Sequence, residues 1–151
     1  MSDIRMGFLG GLLGTFVAAS MMLMNNALHR IPEVHVAKTL SGILGSPDQV
    51  MVGVLVLLVV GIFVFGGLFA VLAPRLPIRS YLLKCLAFAM VSWLFMMLVF
   101  MPLGDAGFFG LNRSPVVPLA TLILNLAYWF TLGMSYRWLV EPPSQSDRVN
   151  T

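Results

Sequence analysis

Four apolar stretches, residues 6–28, 50–72, 81–101 and 116–139, occupy most of this 151-residue chain. A bilayer's hydrocarbon core of about 30 Å takes roughly 20 helical residues at about 1.5 Å rise, and all four stretches meet that length. Inside them only Lys84 and Arg137 carry charge, each within about a turn of an end. The fold class that follows is all-α: one integral membrane domain of four transmembrane helices over residues 1–151, with a short tail at 140–151. Residues 6–28 exceed the apolar run of about 7–15 residues in a cleaved signal peptide and follow a weakly basic start, so they read as a retained first span.

Composition excludes several classes. The chain is 59% hydrophobic and 10% charged, against about 25% charged in a typical soluble domain. The net charge of +3 comes from scattered residues that mostly flank the spans, which is no nucleic-acid footprint. Cys85 is the only cysteine, so neither an internal disulfide nor a thiolate metal cluster is expected.

Lysine and arginine set the orientation. Arg5, Arg75, Arg79, Lys84, Arg137 and Arg148 fall on the side of the termini and the second loop, while Arg30, Lys38 and Arg113 fall on the other. Positive charge stays in the cytoplasm, so both termini are predicted cytoplasmic. Tyr81, Tyr136 and Trp138 lie at that inner boundary, and Phe108 and Phe109 at the outer one.

The loops differ in kind. The second, Pro74-Arg-Leu-Pro-Ile-Arg79, is a tight connection whose prolines end a helix. The first is too long for a turn, and Val36, Leu40, Ile43 and Leu44 share one helical face. This predicts an interfacial helix over about 33–44, closed by Gly45 at its C-cap. Ser46-Pro-Asp-Gln49 reads as a capping box launching the second span, and Ser114-Pro115 as the start of the fourth. The third loop, with Gly104, Gly107 and Gly110 among apolar residues, is expected to fold back on the bundle.

Three segments carry a family resemblance: residues 32–38 through Gly45-Ser-Pro47, residues 68–77 (LFAVLAPRLP) and residues 101–112 (MPLGDAGFFGLN). Over roughly residues 6–139 the chain resembles a family of uncharacterised small bacterial inner-membrane proteins with four helices. The resemblance implies a topology and a bacterial origin, with no established activity. It also implies that relatives often carry a histidine in the second and fourth spans. The corresponding regions here read Leu55-Val-Leu-Leu58 and Leu124-Asn-Leu126, so a haem or metal held that way is not expected in this chain.

Few residues carry chemistry. His29 and His35, with Glu33, lie in the first loop at a spacing that fixes no common face, so no metal site is assigned to them. Met97 and Met101 sit four apart near the end of the third span, with soft thioethers suited to Cu(I); methionine also packs adaptably in apolar helices. Lys84, about one turn into the third span, reaches the surface with Arg75 and Arg79 as a headgroup-binding set. Asn125 lies near mid-membrane, where an amide needs a partner in another helix. Trp93 and Trp129 lie at similar depth, away from the membrane boundaries where Trp usually sits; bulky aromatics there suit a protein or ligand interface, with lipid-facing packing as the alternative.

Small residues give the clearest packing signal. Gly7 and Gly11, and Gly10 and Gly14, form two four-residue repeats in the first span, and Gly66 and Gly67 offer a similar surface in the second. No span contains Asp, Glu or His, which proton relays and coupled transport commonly use. No paired acids, Ser-His-Asp set or Cys-His pair points to an enzyme, and no cofactor is expected. The expected role is a non-catalytic accessory or scaffolding subunit of a larger inner-membrane complex, respiratory or photosynthetic assemblies being candidate hosts. Its expected partners are lipids and other membrane subunits. A small homo-oligomeric channel or carrier for Cu(I) is the alternative.

Overall fold

The computed structural model describes residues 2–28, 36–45, 48–104, 106–112 and 114–140. It is helical, with no strand among the described residues. Seven α-helices follow in order: α1 (Ser2–Leu28), α2 (Val36–Ile43), α3 (Val50–Val59), α4 (Gly66–Leu72), α5 (Tyr81–Phe95), α6 (Met101–Leu103) and α7 (Val117–Val140). A π-helical turn, Val60–Phe65, joins α3 to α4, and a second, Met96–Phe100, joins α5 to α6. The four membrane-spanning candidates are therefore Ile4–Met24, Met51–Leu72, Tyr81–Leu103 and Val117–Val140.

The π turns have local causes. Pro102 follows the second, and a proline lacks the N–H of the i→i−4 ladder and its ring strikes that carbonyl. Widening the preceding turn, so that the Met101 N–H reaches the Met96 carbonyl five residues back, makes room for the ring. The first π turn contains Gly61, at which span two meets span one.

Loop chemistry matches the sequence where it is described. Gly45 takes φ +74° at the end of α2, and its N–H bonds the Gly42 carbonyl at 3.0 Å, as a helix-terminating glycine does. Leu40 and Ser41 of α2 are buried, and the helix packs on α3. Ser46 and Pro47 of the expected capping box lie outside the described residues, and the helix begins at Val50 with Gln49 at its cap. The Ser114 hydroxyl accepts the Val116 N–H at 3.3 Å and leads into α7. The third loop does fold back: Ala106 and Gly110 are buried, and the Phe109 ring meets Trp93 edge-on at 5.8 Å. Phe109 sits at φ +57°, a conformation costly for a bulky residue and held here by that packing.

Span four is the centre of the bundle. In its most hydropathic window 39% of residues are buried, against 17–22% in the other spans. Span one lies against spans two and four, and span three lies against span four. Spans two and three meet through rings, Phe69 on Phe88 at 5.0 Å, with Trp129 of span four beneath both.

Candidate functional site

The two glycine repeats of span one face different helices. Gly7 and Gly66 oppose each other, so that a methyl on either would collide with the other's carbonyl. A methyl on Gly11 would lie 2.8 Å from the Gly61 carbonyl, also in span two. On Gly10 it would lie 2.9 Å from the Leu132 carbonyl, and on Gly14 2.9 Å from that of Tyr128, both in span four. Four glycines thus let one helix nest into the backbones of two. Gly67 differs, because its open side meets only the Phe8 ring at 3.2 Å. Gly133 was not singled out in the sequence. It gives span three the same access to span four, since a methyl there would collide with the Cys85 sulfur.

Above these contacts the interior is filled by rings. Phe65, Phe69, Phe88, Tyr128, Trp129 and Tyr136 form one continuous set, with neighbouring centroids 5.0–6.0 Å apart. Such pairs are worth about 0.5–1.5 kcal/mol each beyond the area they bury. The Tyr128 hydroxyl donates to the Gly61 carbonyl at 2.5 Å, tying span four to the π turn of span two. Thr15 beside it donates to the Gly11 carbonyl of its own helix at 2.7 Å.

Asn125 finds the interhelical partner its depth demands. Ser92 of span three donates to its Oδ1 at 2.8 Å, and Trp129 donates to the Ser92 hydroxyl at 2.7 Å. Three side chains from two helices form one chain of hydrogen bonds at mid-membrane. Ser92 carried no periodic signal; its polarity in mid-span was the only clue. Trp129 is buried within its own bundle and offers no outward surface. Trp93 shares its indole N–H between the Pro118 carbonyl at 3.2 Å and the Thr121 hydroxyl at 3.3 Å. Both mid-depth tryptophans serve contacts inside this chain.

Lys84 departs from its expected place. It is 7% exposed, its ammonium donates to the Ala73 carbonyl at 2.5 Å, and it lies 5.1 Å from the centre of the Tyr81 ring. That carbonyl lies at the negative end of α4, so the lysine closes the helix end. Arg75 and Arg79 are exposed, and Arg137 lies 5.7 Å over the other cation's ring, Tyr81. The exposed cations near this end of the bundle are Arg75, Arg79 and Arg137.

Met97 and Met101 are buried with Ala106, Val117 and Ala120 beneath the third loop. The Thr121 hydroxyl stands 3.9 Å from the Met97 sulfur. Their thioethers fill a core. His29, Glu33 and His35 lie outside the described residues, and no group of three His, Cys, Asp or Glu side chains gathers among those described.

Fold and interior define a multi-pass membrane protein. Over residues 1–147 the chain matches the model of a family of unknown function, DUF6789, and it belongs to that family. No curated protein and no solved structure matches it.

Proposed function

We propose that this protein is a non-catalytic accessory subunit of a larger membrane complex, seated in a bacterial inner membrane with both termini in the cytoplasm. The observation that carries the reading is the ring-filled interior. Six aromatic side chains occupy the space among spans two, three and four, leaving the outward surface as the working surface. That surface is broad and apolar: Phe16, Leu23, Met51 and Val91 are each about 70% exposed. In a membrane such side chains meet lipid or another subunit. The orientation rests on the lysine and arginine asymmetry. Respiratory and photosynthetic assemblies remain the proposed hosts. Removing the protein from its native cell should lower the yield of one larger complex while sparing the specific activity of what remains. Unchanged complexes on native gels, together with loss of one transport or chemical activity, would reject the reading. The Cu(I) alternative draws no support from Met97 and Met101, whose sulfurs lie in packed core.

A further inference from the structure

Three arginines and a lysine gather where spans two and four end and span three begins. Lys84 and Arg137 both stand over the Tyr81 ring, 5.1 and 5.7 Å from its centre. Tyr81 opens α5 and Arg137 lies in the last turn of α7, so this contact marks the seam between spans three and four. Arg79 precedes Tyr81 by two residues and is exposed. Lys84 also holds the Ala73 carbonyl, which ties the second loop, with Arg75, to the same end of the bundle. Among the described side chains the one acid, Asp48, belongs to the opposite end of span two. Like charges are thus collected around one ring with no described carboxylate to offset them, and an anion at the seam relieves their repulsion.

We propose that this seam binds the phosphate of an anionic phospholipid, with Arg79 and Arg137 as its two arms. Position, chemistry and surroundings select that ligand. The seam lies at the ends of three membrane-crossing helices, the depth at which a bilayer presents its phosphates. Guanidinium forks match two oxygens of a phosphate at once. A soluble phosphate would use the cations alone, whereas here they adjoin apolar surface. Leu82 and Leu86 in the first two turns of α5, and Met134 and Trp138 in the last two of α7, are all exposed. Acyl chains can lie on those side chains while the phosphate stays with the arginines, and the Trp138 indole suits the boundary between them. Lys84 is not an arm of the site: it is buried, and its ammonium is engaged with Ala73. The inference does not depend on the accessory-subunit reading, since the site lies within one chain.

The test reads Trp138, which is 66% exposed beside Arg137. The whole protein is reconstituted in phosphatidylcholine vesicles containing a rising fraction of phosphatidylglycerol, or of phosphatidylcholine, brominated high on its acyl chains to quench nearby indoles. The Trp138→Phe protein supplies the blank for Trp93 and Trp129. An arginine near a charged lipid surface is worth about fivefold in local enrichment, so two should make half-quenching by the anionic lipid occur at a roughly tenfold or more lower fraction than by the zwitterionic one. Arg137→Gln should reduce that preference about fivefold, and Arg79→Gln with Arg137→Gln should abolish it. Both residues are exposed, so neither change disturbs the core. Arg5→Gln makes the same charge change at the same end on span one and should leave the preference in place. Equal quenching by the two lipids in the wild-type protein overturns the site. A preference that Arg5→Gln lowers as much as Arg137→Gln reflects diffuse charge and overturns it too. Release of the lipid by millimolar inorganic phosphate at constant ionic strength would assign the seam to a soluble anion and overturn the lipid assignment.

Discussion

Replacing Gly10 tests the close packing that organises the bundle. A methyl at Gly10 would stand 2.9 Å from the Leu132 carbonyl and 3.6 Å from the Tyr136 nitrogen, so backbone, not a flexible side-chain end, is what has to move. Restoring ordinary contact means opening spans one and four by at least about 0.5 Å, and overpacking of this kind costs about 1–3 kcal/mol. Against it, alanine gains about 1 kcal/mol over glycine in a helix interior. Gly10→Ala should therefore be neutral to about 2 kcal/mol destabilising. Gly10→Leu adds a branched side chain with nowhere to go and should cost more than about 3 kcal/mol. Gly42 supplies the control. A methyl there meets nothing within 4 Å, so Gly42→Ala should stabilise by about 0.5–1 kcal/mol. Reversible unfolding in mixed micelles, followed by tryptophan fluorescence, reads all three. Gly10→Leu matching the wild type within about 0.5 kcal/mol would refute the packing, because so large a group beside a backbone carbonyl cannot be silent.

Other outcomes follow from the same contacts. Tyr128→Phe removes the hydroxyl that ties span four to Gly61, whose carbonyl keeps the Gly66 N–H, so stability in the same assay should fall by about 0.5–1.5 kcal/mol; no change would mean the interhelical bond contributes nothing. Met97→Leu with Met101→Leu conserves volume in a packed core, so it should cost less than about 1.5 kcal/mol per site and leave Cu(I) flux into liposomes at the empty-vesicle level. Methionine-dependent flux in the wild type would contradict that. A reporter active only in the periplasm should be silent when fused after Thr151 and active when placed in the first loop, and the reverse pattern would invert the orientation.

The spans and loops were legible because lipid imposes simple rules. Length and absence of charge marked the four helices, Gly45 marked the end of α2, and the loop glycines marked a fold-back. The small-residue repeats marked close contacts, and Asn125 announced a partner. Which helix each glycine meets was not legible. Gly7 and Gly11 face span two while Gly10 and Gly14 face span four, a partition set by how three helices cross rather than by spacing along one. The π turns were also hidden, since one extra residue in a turn leaves no periodic trace in a uniformly apolar segment. Lys84 was misplaced for a similar reason: a lysine near a helix end snorkels by default, and only the position of the Ala73 carbonyl across the second loop diverts it. The depth of Trp93 and Trp129 suits an interface or lipid, yet Ser92, Thr121 and Pro118 supply their acceptors from inside the bundle.

The central claim is that this bundle works through its outward surface as part of a larger assembly. Its most direct test is purification of the tagged protein from native membranes into lipid nanodiscs without stripping detergent, followed by quantitative mass spectrometry of what remains with it. A membrane protein retained at fixed stoichiometry, and released by Phe16→Ala or Val91→Ala on the exposed faces of spans one and three, is the predicted result. Recovery of the chain alone or only with copies of itself, at every expression level, would contradict the account.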